Sequence, residues 1–216
     1  MGRPTAFIDT SDLADLFIPR FVRVADAARA RHGRAAILVS ANEGIRPLYA
    51  ALAGTTFDGT GLDFYLVQER IGAGDRRESQ LADLLPRGAR LVLPPVSSDP
   101  FAAGSAYADL VEGRLGRRGR FDLAHIHLTD ADAYLGFDDE RAEESSRVEV
   151  RELESGGEIV VRGRAVLEAR LTWFTALGEA DSEVARARDF ERRYAGTGFE
   201  PEWWMDRESV ATWKIR

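Results

Sequence analysis

A chain of 216 residues can bury a large core, and its 44% hydrophobic and 30% charged content is that of a globular protein. The formal charge of −7 argues against nucleic acid as a partner, and the lack of cysteine removes disulfides, thiolate nucleophiles and thiolate metal sites together. No apolar run approaches the roughly 20 residues that span a bilayer, and Met1–Phe7 lacks the apolar core of a secretory signal, so a cytoplasmic protein without a membrane partner is expected.

Residues 12–31 place Leu13, Leu16, Phe17, Phe21, Val24 and Ala28 on one helical face, with Ser11 or Asp12 as N-cap, and predict a helix covering a sheet. Ala35–Val39 is a continuous apolar run of the kind that forms a strand buried on both faces, followed by the loop Ser40–Gly44 and a helix around Pro47–Leu52. The β-loop-α pattern repeats. Leu62–Val67 leads to a polar loop and a helix near Glu78–Leu85, then Arg90–Leu93 leads to Asp99-Pro100 and a helix through Leu115. Phe121–Leu128 reads as the fourth strand. The basic cluster Arg114, Arg117, Arg118 and Arg120 between these last two elements reads as solvated surface.

Strands alternating with helices predict an α/β fold, a Rossmann-like three-layer αβα arrangement with a mostly parallel sheet. The C-terminal half differs. Residues 146–153 and 158–177 alternate in polarity and are rich in β-branched side chains around Glu154-Ser155-Gly156-Gly157, which predicts a hairpin with a Gly-Gly turn. A helix over Glu179–Arg193 follows. The aromatic stretch Phe199–Met205 falls in a tail, residues 194–216, expected to pack over the core or across a homodimer. The whole of 1–216 is read as one domain.

Chemistry gathers where the fourth strand ends. His125, His127, Asp130 and Asp132 follow one another at the point where loops of a parallel sheet turn side chains into a shared crevice. The cleft is expected at the carboxyl ends of the strands ending near Ser40, Gln68 and Leu128.

The order of motifs resembles the 6-phosphogluconolactonase branch of the superfamily that also holds the glucosamine-6-phosphate deaminases. Val92-Leu93-Pro94, Asp99-Pro100-Phe101-Ala102-Ala103-Gly104-Ser105-Ala106-Tyr107 and Phe121-Asp122-Leu123 are similar to that family's strand, helix and strand. Arg46–Leu52, Glu69-Arg70 and Gly178-Glu179-Ala180 also fit, so the resemblance covers about residues 35–190.

The functional motifs depart from the family's pattern. Where the family has a Gly-Gly-Ser-Thr-Pro phosphate loop, this chain reads Ala41-Asn42-Glu43-Gly44-Ile45, and a Glu43 carboxylate repels phosphate. The family's Gly-x-Gly-x-Asp-Gly-His-Thr loop, with its general-base histidine, aligns so that Asp130 keeps the aspartate and Asp132 stands at the histidine. Asp181 stands where the family has a phosphate-holding lysine.

Three readings of these residues follow. In the first, the chain is a diverged lactonase-like enzyme, a hydrolase or isomerase doing acid/base chemistry on an unphosphorylated sugar-like or lactone small molecule. Asp132 or His127 is the general base, with Asp130 orienting it; Asn42, Glu43, Gly44, Glu69, Arg70 and Asp181 line the substrate site. A carboxylate base needs a raised pKa, which the closeness of Asp130 and Asp132 permits. In the second, His125 and His127 share a strand face and hold zinc or manganese in a metal-dependent hydrolase. In the third, the chain is an inactive descendant that binds a ligand or a protein. The first is preferred, with no metal and no cofactor: the resembled family needs no metal, and no Gly-x-Gly-x-x-Gly follows a strand.

Overall fold

The computed structural model describes residues 5–7, 10–40, 44–71, 81–116, 119–127, 147–153, 156–176, 190, 192 and 198–214. In chain order the main elements are β1 (Thr5–Phe7), α1 (Thr10–His32), β2 (Ala35–Val39), α2 (Arg46–Ala53), β3 (Leu62–Leu66), β4 (Gln68–Ile71), β5 (Arg90–Val92) and α3 (Pro100–Leu115). There follow β6 (Leu123–His127), β7 (Val148–Leu153), β8 (Gly156–Val161), α4 (Gly163–Leu167), β9 (Thr172–Ala176), β10 (Glu202–Asp206) and α5 (Arg207–Lys214).

Seven strands form one parallel sheet in the order β5-β3-β2-β6-β9-β10-β1. The chain fills the sheet outward from β2 through β3 and β5, then crosses to the other side of β2 with β6, β9 and β10. The direction therefore reverses between β2 and β6. Runs such as Ala35–Val39 are apolar throughout because both faces are covered. Ala35, Ile37 and Val39 pack with Phe17, Phe21, Leu48 and Tyr49 from α1 and α2, whereas Ala36 and Leu38 pack on the opposite side with Tyr107 and Val111 of α3. Each large apolar side chain buried this way contributes roughly 1.5–3 kcal/mol. Helix α3 starts as its sequence dictates: Pro100 occupies the first turn, and the Asp99 carboxylate accepts from the Phe101 N–H at 2.9 Å.

After Leu66 the chain changes sheets. Val67 donates its N–H to the Val39 carbonyl in the main sheet, while its own carbonyl accepts from Val161 of the small antiparallel sheet β4-β8-β7. The expected hairpin is present as β7 and β8, but Leu153 pairs with Gly156, so the chain reverses before the glycine pair. Gly156 and Gly157 begin β8. A Cβ on Gly157 would lie 2.4 Å from the Pro100 Cβ, so the glycine lets the hairpin rest on the start of α3. The alternating run 158–177 is interrupted by α4.

The aromatic stretch is built into the sheet rather than laid over it. Glu202–Asp206 is β10, hydrogen-bonded between β9 and β1. Trp204 packs at a tilt against Trp173 on the α1 face, and Trp203 stacks on Phe174 on the other. Of the helix expected near Glu78–Leu85, the described part is helical at Leu81 and continues as the 3₁₀ segment Ala82–Leu84; of that over Glu179–Arg193, only Phe190 and Arg192 are described, both helical.

Candidate active site at the reversal point of the sheet

Ligands of doubly wound sheets bind outside the carboxyl ends of the strands where strand order reverses. Here that place lies between Ser40, which follows β2, and His127, which ends β6. The His127 N–H donates to Ser40 Oγ at 3.1 Å, and the Ser40 N–H donates to the His125 carbonyl at 3.1 Å. The two strand ends are thus tied together. Gly44, at the entrance to α2, faces the imidazole of His127: a Cβ there would come within 2.0 Å of Nε2. Only glycine lets the ring keep its place.

His127 is buried, and burial pushes its pKa down to about 4, partly opposed by a hydrogen bond with the Thr175 backbone. The ring is therefore neutral near pH 7. A general base works best with a pKa near the operating pH, so this imidazole suits hydrogen bonding to substrate better than proton abstraction.

His125 lies one strand period below, wholly buried. Its Nδ1 meets the Tyr49 hydroxyl at 3.2 Å and its Nε2 the Thr175 hydroxyl at 2.7 Å, inside a ring of Phe17, Tyr49 and Trp173. Burial, and then the neighbouring His127, lower its pKa to about 3. With both ring nitrogens engaged inside an aromatic cage, His125 is not presented to a metal, which removes one of the two ligands on which the metal-dependent reading rests.

Glu69 and Arg70 stand beyond the carboxyl end of β3, on β4 of the small sheet. Successive strand residues point to opposite faces. Glu69 is accordingly buried and close enough to Tyr107 to raise the pKa of its hydroxyl, secondarily to burial, whereas Arg70 is exposed and faces Glu158 across the strand pair at 3.9 Å. Of the residues expected at the site, the structure brings Gly44 and His127 into contact. Asn42, Glu43, Asp130, Asp132 and Asp181 lie outside the described residues.

Sequence reasoning passed over Ser40, Tyr49 and Thr175 as members of this constellation. Tyr49 lies within a matched motif, but its partner His125 is 76 positions away, and no local pattern links them.

No family model and no curated protein matches the chain. Solved structures do. The 6-phosphogluconolactonase of Shewanella baltica OS155 superposes with a TM-score of 0.73 at 17% identity, covering 95% of this chain and 98% of that one. A monomeric glucosamine-6-phosphate deaminase gives a TM-score of 0.75 at 12% identity, covering 98% and 100%. The 6-phosphogluconolactonase of Trypanosoma brucei gives 0.68 at 17%, covering 98% and 99%. The chain has the 6-phosphogluconolactonase fold. The likeness extends beyond the 35–190 stretch that carried the sequence resemblance, since the superposition takes in 95% of the chain.

Proposed function

We propose that the protein is a diverged lactonase-like enzyme that performs acid/base chemistry, hydrolysis or isomerisation, on an unphosphorylated sugar-like or lactone substrate. The observation that carries this reading is the neutral His127, fixed at the reversal point by Ser40 and given room by Gly44.

In the hydrolytic form, a carboxylate takes a proton from water as the water oxygen bonds to the lactone carbonyl carbon. The carbonyl oxygen becomes an oxyanion, held by the polar groups that position the substrate, while the neutral His127 ring, whose N–H is directed at the Thr175 backbone, accepts a hydrogen bond from a substrate hydroxyl through its other nitrogen. Collapse breaks the ring C–O bond, and the carboxylic acid returns its proton to the departing alkoxide. Asp132 is assigned the carboxylate role because it stands where the resembled family has its base histidine, with Asp130 two positions away to raise its pKa. Asp130 orients it, and Asn42 and Arg70 hold polar substrate groups. The acidic replacements Glu43 and Asp181, at positions that hold phosphate in the resembled family, favour an uncharged substrate over a phosphorylated one.

The test compares gluconolactone with its 6-phosphate, each corrected for spontaneous hydrolysis. The reading expects kcat/KM at least tenfold higher for the unphosphorylated lactone. Preference for the phosphorylated lactone would overturn the substrate assignment, and the absence of turnover on both would overturn lactone hydrolysis.

A further inference from the structure

We propose that a second ligand site, for a small multivalent anion bearing phosphate or carboxylate groups, lies at the amino ends of β2, β6 and β9, at the opposite end of the sheet from the candidate active site. A cleft of about 730 Å³ opens there, between His32 at the end of α1, Gly119 and Arg120 before β6, and Leu167–Arg170 before β9.

The charges facing this cleft are unequally committed. Asp122, buried behind the lining residues His32 and Arg170, accepts from the Ala36 N–H at 3.0 Å through one carboxylate oxygen, and the other faces Arg170 at 3.6 Å and His32 at 3.9 Å. Glu168 on the wall is held by Arg164 at 2.6 Å and Arg147 at 3.2 Å. Arg147 also takes Glu112 and donates to the Gly119 carbonyl, which fixes that wall of the cleft. Three carboxylates, Asp122, Glu168 and Glu112, are therefore set against Arg147, Arg164 and Arg170. Arg120 is surplus: it is exposed on the rim and has no hydrogen-bond or ion-pair partner among the described residues.

The carboxyl end of α1 also points this way and favours cations, but its last turn already carries Arg29, Arg31 and His32. Arg120 and Arg170 come from other segments. The imbalance continues along the same end of the sheet, where Asp63 at the start of β3 is shared by Arg90 at 2.8 Å, Arg34 at 3.3 Å and Arg114 at 3.8 Å. A chain of net charge −7 thus concentrates cationic groups where its strands begin. Of the arginines, Arg120 and Arg170 line the cleft itself, and paired guanidinium groups on a concave wall are an ordinary means of holding phosphate or carboxylate.

The experiment titrates the full chain with pyrophosphate and, separately, with citrate at low ionic strength, by calorimetry and by amide chemical shifts. The proposal expects saturable binding of at least one probe, shifts at Gly119, Arg120 and Arg170, and at least tenfold weaker binding in Arg120→Gln and Arg120→Glu. Which probe binds more tightly distinguishes a phosphate ligand from a carboxylate one. No saturable binding of either probe would overturn the proposal. So would equal affinity in the Arg120 variants, or shifts confined to Ser40, Gly44 and His127.

Discussion

The imidazole of His127 fills the space that a side chain on Gly44 would need, with Nε2 only 2.0 Å from where a Cβ would stand. Gly44→Ala is therefore expected to push the ring out of place, and overpacking of this kind costs roughly 1–3 kcal/mol. A misplaced catalytic neighbour costs more in rate than in stability, so activity should fall about 100-fold while the fold persists. Parallel measurements of turnover and urea unfolding test this. Unchanged turnover in the alanine variant would show that His127 has no part in the chemistry.

The pH dependence of stability follows from the buried imidazoles. His125 has a pKa of about 3 in the folded chain against an ordinary 6.5, so between those values the unfolded chain binds a proton that the folded chain does not. Its contribution is complete above about pH 6.5 and is lost as the pH falls toward 3. His127 acts in the same direction, down to about pH 4. In His125→Gln the slope of unfolding free energy against pH between 6 and 4.5 should flatten by up to about 1.4 kcal/mol per pH unit. Equal slopes for wild type and variant would contradict the buried, neutral state of this ring.

Asp63 collects Arg34, Arg90 and Arg114 about one buried carboxylate. Removing it leaves three guanidinium groups facing one another. Because Arg34 and Arg90 are nearly half exposed, solvent softens the penalty, and Asp63→Ala is expected to cost about 1–3 kcal/mol. Added salt should recover part of that loss by screening the repulsion. Urea denaturation at low and high ionic strength reads both effects.

The central strands were legible because burial on both faces demands consecutive apolar residues, as in Ala35–Val39 and Leu62–Leu66. Helix α3 was legible from Asp99-Pro100, whose capping chemistry is local. Strand β10 was not recognised, although Trp203-Trp204-Met205 meets the same double-burial condition; large aromatics also suit a cover over a core, and pairing with β9 is a non-local fact. The Gly156-Gly157 pair looked like a turn, yet Gly157 is accounted for by the approach of Pro100, 57 positions earlier. At the site, position along the strand predicted that His127 would lie at its rim. The alternation that places His125 on the same side could not show that Tyr49 and Thr175 would take both of its ring nitrogens.

The central proposal is that Asp132 serves as the general base in place of the histidine of the resembled family. The most direct measurement is lactone hydrolysis, corrected for the spontaneous rate, by wild type and Asp132→Asn, with unfolding curves confirming that both are folded. The account predicts clear wild-type turnover that falls at least 100-fold in Asp132→Asn, because an amide cannot accept the proton from water. Turnover that survives the substitution unchanged would contradict it.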